Sequence, residues 1–167
     1  LGDLGNAYAD LGEGRRAIEY DERELEVARE MGDRGGEGNA LGNLGTAYAD
    51  LGEVRRAIDY YEQALVVDRE TGNRRWEGNA LGNLVLAYAD LGEVRRAIAY
   101  YEQRLGIARE IGDRRGEGNT LGNLGLAYAA LGEVRRAIDF VGQDLVVAIE
   151  NGNRRGEGHA LGNLGSA

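Results

Sequence analysis

The stretch LGNLGTAYADLGEVRRAI at residues 41–58 returns as LGNLVLAYADLGEVRRAI at 81–98 and as LGNLGLAYAALGEVRRAI at 121–138. The period is 40 residues with no insertion, and block 41–80 matches block 81–120 at 29 of 40 positions. A looser copy fills 1–40, and the start of a fifth copy, LGNLGSA, fills 161–167. This repetition constrains the fold more than any single residue does. A unit this short cannot bury its own apolar face, so identical units must stack and bury it against one another.

Two helical patterns alternate inside each block. Leu41, Leu44, Tyr48 and Leu51 recur at steps of three or four and mark one apolar stripe. Val54, Ala57, Ile58, Tyr61 and Leu65 mark a second. Gly52 breaks the first helix, and Glu53 places a negative charge where the second begins. Gly72 stops the second helix. Asn73, like Asp33, Asp113 and Asn153, holds an N-cap position. First helices are predicted near 34–51, 74–91 and 114–131, second helices near 53–71, 93–111 and 133–151, and a partial helix near 157–167. Leu44, Tyr48, Ala57, Ile58, Leu65 and their equivalents 40 residues on are the predicted core.

Each block is therefore an antiparallel helix pair, and the fold class is all-α. Glycine is costly in helices, about 1 kcal/mol each, so the 28 glycines need reasons. Gly5, Gly45, Gly125 and Gly165 are predicted to let two helices approach closely, and Gly42 and Gly82 to serve adjacent repeats. Gly106 and Gly142 have no reason legible in the sequence. The absence of Pro suits unbroken helices.

The order Leu41, Leu44-Gly45, Tyr48, Ala57 and Tyr61, with Asn43, Gly52, Ile58, Ala64 and Leu65, resembles the tetratricopeptide repeat pattern. That repeat usually has about 34 residues; the longer period here is similar to the subtype of Leu-Gly-Asn-repeat proteins, kinesin light chains and bacterial arrays. Arg69 stands where Pro often ends the second helix. The resemblance covers the whole chain and implies a right-handed α-solenoid of about four helix pairs plus a partial fifth. The blocks would be 1–40, 41–80, 81–120, 121–160 and 161–167, one domain over 1–167. It implies a scaffold that binds other proteins, with first helices lining a concave groove. Asp21 and Val141 stand where Tyr61 and Tyr101 do, and Gly14 replaces a Val, so the first repeat is expected to be the loosest.

Composition narrows the function further. The net charge is −9, which argues against a general nucleic-acid binder. The four full blocks carry −6, −2, 0 and −1. The excess is concentrated in Glu19, Asp21, Glu22, Glu24 and Glu26, a pattern read first as a solvated face. Every basic residue is Arg, and Cys is absent, so disulfides and thiolate metal sites are excluded. No apolar run is long enough to span a membrane. The chain begins at Leu1 rather than Met and reads as a processed or excised piece, so its compartment is not legible.

No catalytic, metal or cofactor constellation is present, and the chain does not read as an enzyme. His159 has no Cys and no second His to work with, and reads as a surface substitution for the asparagine of other blocks. GEGNALG lacks the preceding strand and the spacing of a dinucleotide loop. The better candidates line the groove that the resemblance implies. Asn39 and Asn43, Asn79 and Asn83, and Asn119 and Asn123 sit one turn apart on successive first helices, with Asn163 following. In tetratricopeptide proteins asparagines here often bond a bound peptide's backbone. They either do this or bond neighbouring helices and hold the stack. Thr46, Asp50, Leu86, Asp90 and Leu126, with Asn6 and Asp10, vary along the same face and would tune specificity.

Two arginine ladders accompany them. Arg55–Arg56, Arg95–Arg96 and Arg135–Arg136 run along second helices, and Arg74–Arg75, Arg114–Arg115 and Arg154–Arg155 along the inter-repeat turns. Both read either as solvated salt bridges with Asp59, Glu77 and their equivalents, or, for Arg74, Arg75, Arg114 and Arg115, as a groove edge gripping acidic peptide side chains. The missing lysine argues against capture of a peptide C-terminus. The partner expected is a protein or peptide. Leu161 and Leu164 would expose the stripe that inner repeats bury, which implies a longer array or, as an alternative function, a structural protein stacking head to tail into a filament.

Overall fold

The computed structural model describes residue 5, residue 8 and residues 11–166, the side chain of Ser166 apart. Every regular element among them is a helix: α1 (Gly14–Met31), α2 (Arg34–Asp50), α3 (Val54–Thr71), α4 (Arg74–Asp90), α5 (Val94–Glu110), α6 (Arg114–Ala130), α7 (Val134–Glu150) and α8 (Arg154–Ser166). The helix limits predicted from the repeat hold to within a residue or two, and α8 starts a few residues earlier than expected. Asn6 and Asp10 lie outside the described residues.

The ends of the helices follow from local chemistry. Asp33, Asn73, Asp113 and Asn153 accept hydrogen bonds from the backbone N–H three residues on, at 2.9, 3.4, 2.8 and 3.0 Å. Gly72 takes φ of 69° after α3, and the Asn73 N–H behind it reaches the Asp68 carbonyl at 2.9 Å. That left-handed step is what only glycine supplies readily.

The chain divides into two compact units, Leu1–Gly92 and Glu93–Ala167. In the first, α1 packs on α2, α2 on α3 and α3 on α4. In the second, α5 packs on α6, α6 on α7 and α7 on α8. Turns of two or three residues between packed neighbours make each successive pair antiparallel. The core of the first unit includes Leu41, Leu44, Ala57, Ile58, Tyr61, Leu65 and Leu84. In the second, Ile98 and Leu105 of α5 pack with Leu121, Leu124 and Tyr128 of α6 and with Ala137 and Val147 of α7.

Within a pair, glycine sets the approach. A Cβ on Gly45 would stand 2.4 Å from Cε1 of Tyr61, and one on Gly125 would stand 2.4 Å from Cγ2 of Val141. The ring and the methyl occupy the place of the missing side chain. Gly165 meets nothing within 4 Å, so the close approach expected there does not form. At the other end of the pair, Tyr48 stacks on Tyr60 with centroids 5.3 Å apart, and Arg56 lies over the Tyr48 ring at 5.2 Å. Tyr128, Phe140 and Arg136 repeat the arrangement. Successive pairs are tied by the Tyr88 hydroxyl donating to Glu62 at 3.1 Å, and by Tyr128 donating to Glu102 at 2.9 Å.

Two predicted core residues depart from expectation. Ile138 is 43% exposed although Ile98 is 6% exposed, and Leu145 is only half-buried. Ile98 is covered by α6 of the following pair, whereas α7 is followed by the 13-residue α8 alone. Leu161 on α8 is exposed as expected, while Leu164 is half-buried. In the first block Asp21 is buried in the place of Tyr61, against Gly5, with its Oδ1 unpartnered among the described residues. Burial, and next the charge of Glu24, push its carboxyl up to about 6. A buried acid without a hydrogen bond weakens that joint relative to an aromatic ring.

The glycines give opposite predictions at two sites. Gly45→Ala should destabilise the protein by about 1–3 kcal/mol, because the methyl collides with a packed ring. Gly106 meets nothing within 4 Å; it has no structural explanation, and Gly106→Ala should stabilise by about 0.5–1 kcal/mol. Urea midpoints of the two variants check both signs.

Candidate functional site

The turn between one helix pair and the next places arginines at fixed positions, and the structure divides them into two kinds. Glu77 is buried at the start of α4, where its carboxylate accepts from Arg69 Nε at 2.9 Å and from Arg74 Nη1 at 2.7 Å. Glu117 accepts likewise from Arg109 and Arg114 at 2.8 and 2.6 Å. Glu37 is held between Arg29 and Arg34. Arg34 and Arg114 reach further, to Glu70 on α3 and Glu150 on α7, the helices that pair with their own. The first arginine of each turn is thus committed to the scaffold. Arg75, Arg115 and Arg155, one residue on, are exposed and make no ion pair among the described residues. On second helices Arg56, Arg96 and Arg136 pair with Glu53, Glu93 and Glu133, three residues back, instead of with Asp59 and its equivalents.

Polar residues of three helices of the second unit converge on one cleft. α6 and α8 run the same way on either side of α7, and between them lies a cleft of about 690 Å³. That volume falls within the usual range for ligand sites. One wall carries Asn119, Asn123 and Leu126 from α6, and the other His159 and Asn163 from α8. Asp144, Val147 and Ala148 of α7 form the floor, and Arg114, Arg115 and Arg155 stand at the mouth. The alignment follows from the repeat: His159 and Asn163 occupy on α8 the positions of Asn119 and Asn123 on α6, one turn apart on one face.

The amides are presented rather than used. Asn119 and Asn123 are exposed, and their side chains make no hydrogen bond among the described residues. The same holds for Asn39, Asn43 and Asn83, half-buried in the first unit, and for exposed Asn79. Asn163 has a partner. Leu126 is exposed in the cleft, as Leu86 is on α4. In the first unit Thr46 receives the Tyr61 hydroxyl at 3.3 Å and donates to the Gly42 carbonyl at 3.1 Å, so it is tied into the helix pair. Asp50 and Asp90 are exposed at helix ends.

The cleft also holds residues that the sequence pattern did not single out. Asp144 rests over the glycine face of α6: a Cβ on Gly122 would stand 3.0 Å from its Oδ2, and one on Gly118 would stand 3.3 Å from its Oδ1. Burial raises its carboxyl above the ordinary range, and His159 opposes that rise. His159, read from sequence as an incidental surface residue, faces this acid. The available signal was variation, since the place of Asp144 is taken by Glu24, Ala64 and Arg104 in the other blocks. In the first unit Asp68 is buried beside Gly38, and burial, with the charge of Glu77 second, pushes it up to about 6. Among the described residues no cluster of His, Asp and Glu could hold a metal, and no helix is long and apolar enough to cross a membrane.

A sequence profile of the tetratricopeptide repeat family matches residues 1–70 and 72–143. No curated protein matches the sequence. Among solved structures, BtubC (BKLC) from P. vanneervenii aligns with a TM-score of 0.79 and 20% identity, over 96% of this chain and 71% of its own. A putative kinesin light chain of Podosopora anserina with nearly identical TPR-like repeats aligns at 0.73 and 19% identity, over 99% and 92%. A Rap protein complexed with Competence and Sporulation Factor aligns at 0.72 and 15% identity, over 89% of this chain and 42% of that one. At these identities the likeness is one of fold, a solenoid of helix pairs.

The buried glutamates make a pH-dependent prediction. Burial alone would raise the Glu77 carboxyl, but the hydrogen bonds from Arg74 and Arg69 outweigh it and hold it below its usual value of 4.5. A carboxyl with a lowered folded pKa contributes stability above its unfolded pKa, and that contribution is lost as pH falls through the folded value. Glu77→Gln should therefore cost about 1 kcal/mol at pH 7, its arginine partners being half-exposed, and the difference from the parent should shrink as pH falls below the usual glutamate value of 4.5. Thermal melts across that range check it.

Proposed function

The chain belongs to the tetratricopeptide repeat family, and from that premise we propose that it is a protein-interaction scaffold whose second unit holds an extended peptide in the α6–α7–α8 cleft. Proteins of this family generally mediate protein–protein interactions, and the fold is typically a non-enzymatic scaffold. The observation that carries the finer reading is the pair of exposed amides of Asn119 and Asn123, unbonded within the chain and set one turn apart along a cleft with an apolar wall at Leu126. An amide offers both a donor and an acceptor, which is what an extended backbone needs from a wall beside it. Arg115 and Arg155 at the mouth would take acidic side chains, preferably in forked pairs. Asn39, Asn43, Asn79 and Asn83 offer the same chemistry in the first unit, with Arg75 in the role of Arg115. The solved complex of a Rap protein with Competence and Sporulation Factor supports a bound partner for this fold. Residues 1–167 are read as one array of repeats.

The alternative, end-to-end stacking of chains, has in its favour exposed Ile138, Val146 and Ile149 on α7. It leaves the unbonded amides without a role, and the groove reading is preferred for that reason.

Peptides selected from a random display library on the full 167-residue chain test the proposal. Asn119→Ala with Asn123→Ala should weaken their binding by about tenfold or more, two hydrogen bonds being lost, with the melting temperature nearly unchanged. Unchanged affinity, or an early melt with normal binding below it, would show that the amides do not hold the peptide.

A further inference from the structure

Asp144 is the one carboxylate that lines the cleft, among arginines, amides and a histidine. It makes no hydrogen bond or ion pair among the described residues. Of the basic groups that line the cleft, His159 acts on it electrostatically, and Arg114 is already held by Glu117 and Glu150. The scaffold does not require an acid at this place: the equivalent positions carry Glu24, Ala64 and Arg104, in blocks that otherwise repeat closely. A position that runs through negative, neutral and positive residues, while the asparagines at 39, 79 and 119 and at 43, 83 and 123 stay constant, behaves as a reader and not as a support.

The surroundings define what it can read. The carboxylate fits into the space that Gly118 and Gly122 leave on α6, and Asp144, half-buried, still lines the cleft, where a ligand group can meet it. Partial burial removes part of its water and strengthens its attraction for a cation. A lone carboxylate with amides and one imidazole falls short of a metal cage, and no metal-binding cluster exists among the described residues. A guanidinium or ammonium on a flexible stem fits better, since it brings its own donors and matches the two carboxylate oxygens.

We propose that Asp144 is the specificity-determining residue of this cleft and takes the Lys or Arg side chain of a bound peptide whose acidic neighbours lie on Arg115 and Arg155. The inference rests on the peptide-binding reading above and adds the charge pattern of the peptide. The partner is then of mixed charge: a cationic side chain pointing to the floor, with Asp or Glu towards the mouth. Arg104 stands in the column of Asp144 one block earlier, so changing this residue changes which charge is read.

The same library selection, sequenced in depth, provides the test. Peptides held by the parent chain should be enriched for Lys or Arg at one fixed position by at least about fivefold over the input, the scale of a partly solvated ion pair. Asp144→Asn should abolish that enrichment, Asp144→Glu should retain it, and Asp144→Arg should replace it with Asp or Glu. Enrichment of acidic residues elsewhere in the peptide should persist in all three, and Asp144→Asn should melt no earlier than the parent. Persistence of the cation preference in Asp144→Asn would overturn the proposal. So would its absence from parent-selected peptides that lose binding in the Asn119→Ala, Asn123→Ala variant. If no selected peptide depends on those asparagines, the peptide-binding reading itself fails and this inference falls with it.

Discussion

The joint between one helix pair and the next depends on a buried carboxylate between two guanidinium groups. Glu37, Glu77 and Glu117 each receive one arginine from the end of the preceding second helix and one from the first turn of their own helix. A carboxylate so enclosed must be paired, because an unpaired buried charge costs several kcal/mol. The pairing fixes how far each helix is turned when it leaves the joint. It also consumes the first arginine of every turn and leaves the second, at 75, 115 and 155, directed outward. In the second unit the electrostatics of the cleft mouth are a by-product of this structural ion pair.

From that joint the division between scaffold and reader follows. Residues that hold helices together are nearly invariant from block to block: the leucines of the first helix, the alanine and isoleucine of the second, and the tyrosine under its arginine. Residues facing the cleft split into constant asparagines, suited to a peptide backbone that is the same in every partner, and a changing set suited to side chains that are not. Asp144 and Leu126 belong to the second set. A repeat protein can alter the second set without disturbing the first, because each block contacts only its neighbours.

Most of the fold was legible in the sequence, because helical periodicity, capping residues and glycine stops are local signals. Asn73 and Gly72 mark a boundary with no knowledge of the rest of the chain. The burial of Ile138 was misread because it depends on a neighbouring helix pair, not on its own helix. Gly165 was misread for the same reason, since a glycine leaves a space only where something arrives to use it. The site was legible in part. Asn119 and Asn123 stood out by repetition, whereas Asp144 was overlooked because it breaks the repeat, and His159, read as a surface substitution, is exposed but also lines the cleft. Which arginine of each turn was free could not be read at all: Arg114 and Arg115 are adjacent and identical in type, and only the position of Glu117 separates them.

The claim that the cleft holds a peptide is tested most directly by nuclear magnetic resonance of the side-chain amides. With a selected peptide added to the ¹⁵N-labelled chain, the NH₂ signals of Asn119 and Asn123 should shift saturably, together with the methyls of Leu126 and Val147. Those of Ile138 and Ile149 on the outer face of α7 should stay in place. Shifts confined to the α7 face, with the Asn119 and Asn123 amides unmoved at saturation, would contradict the account.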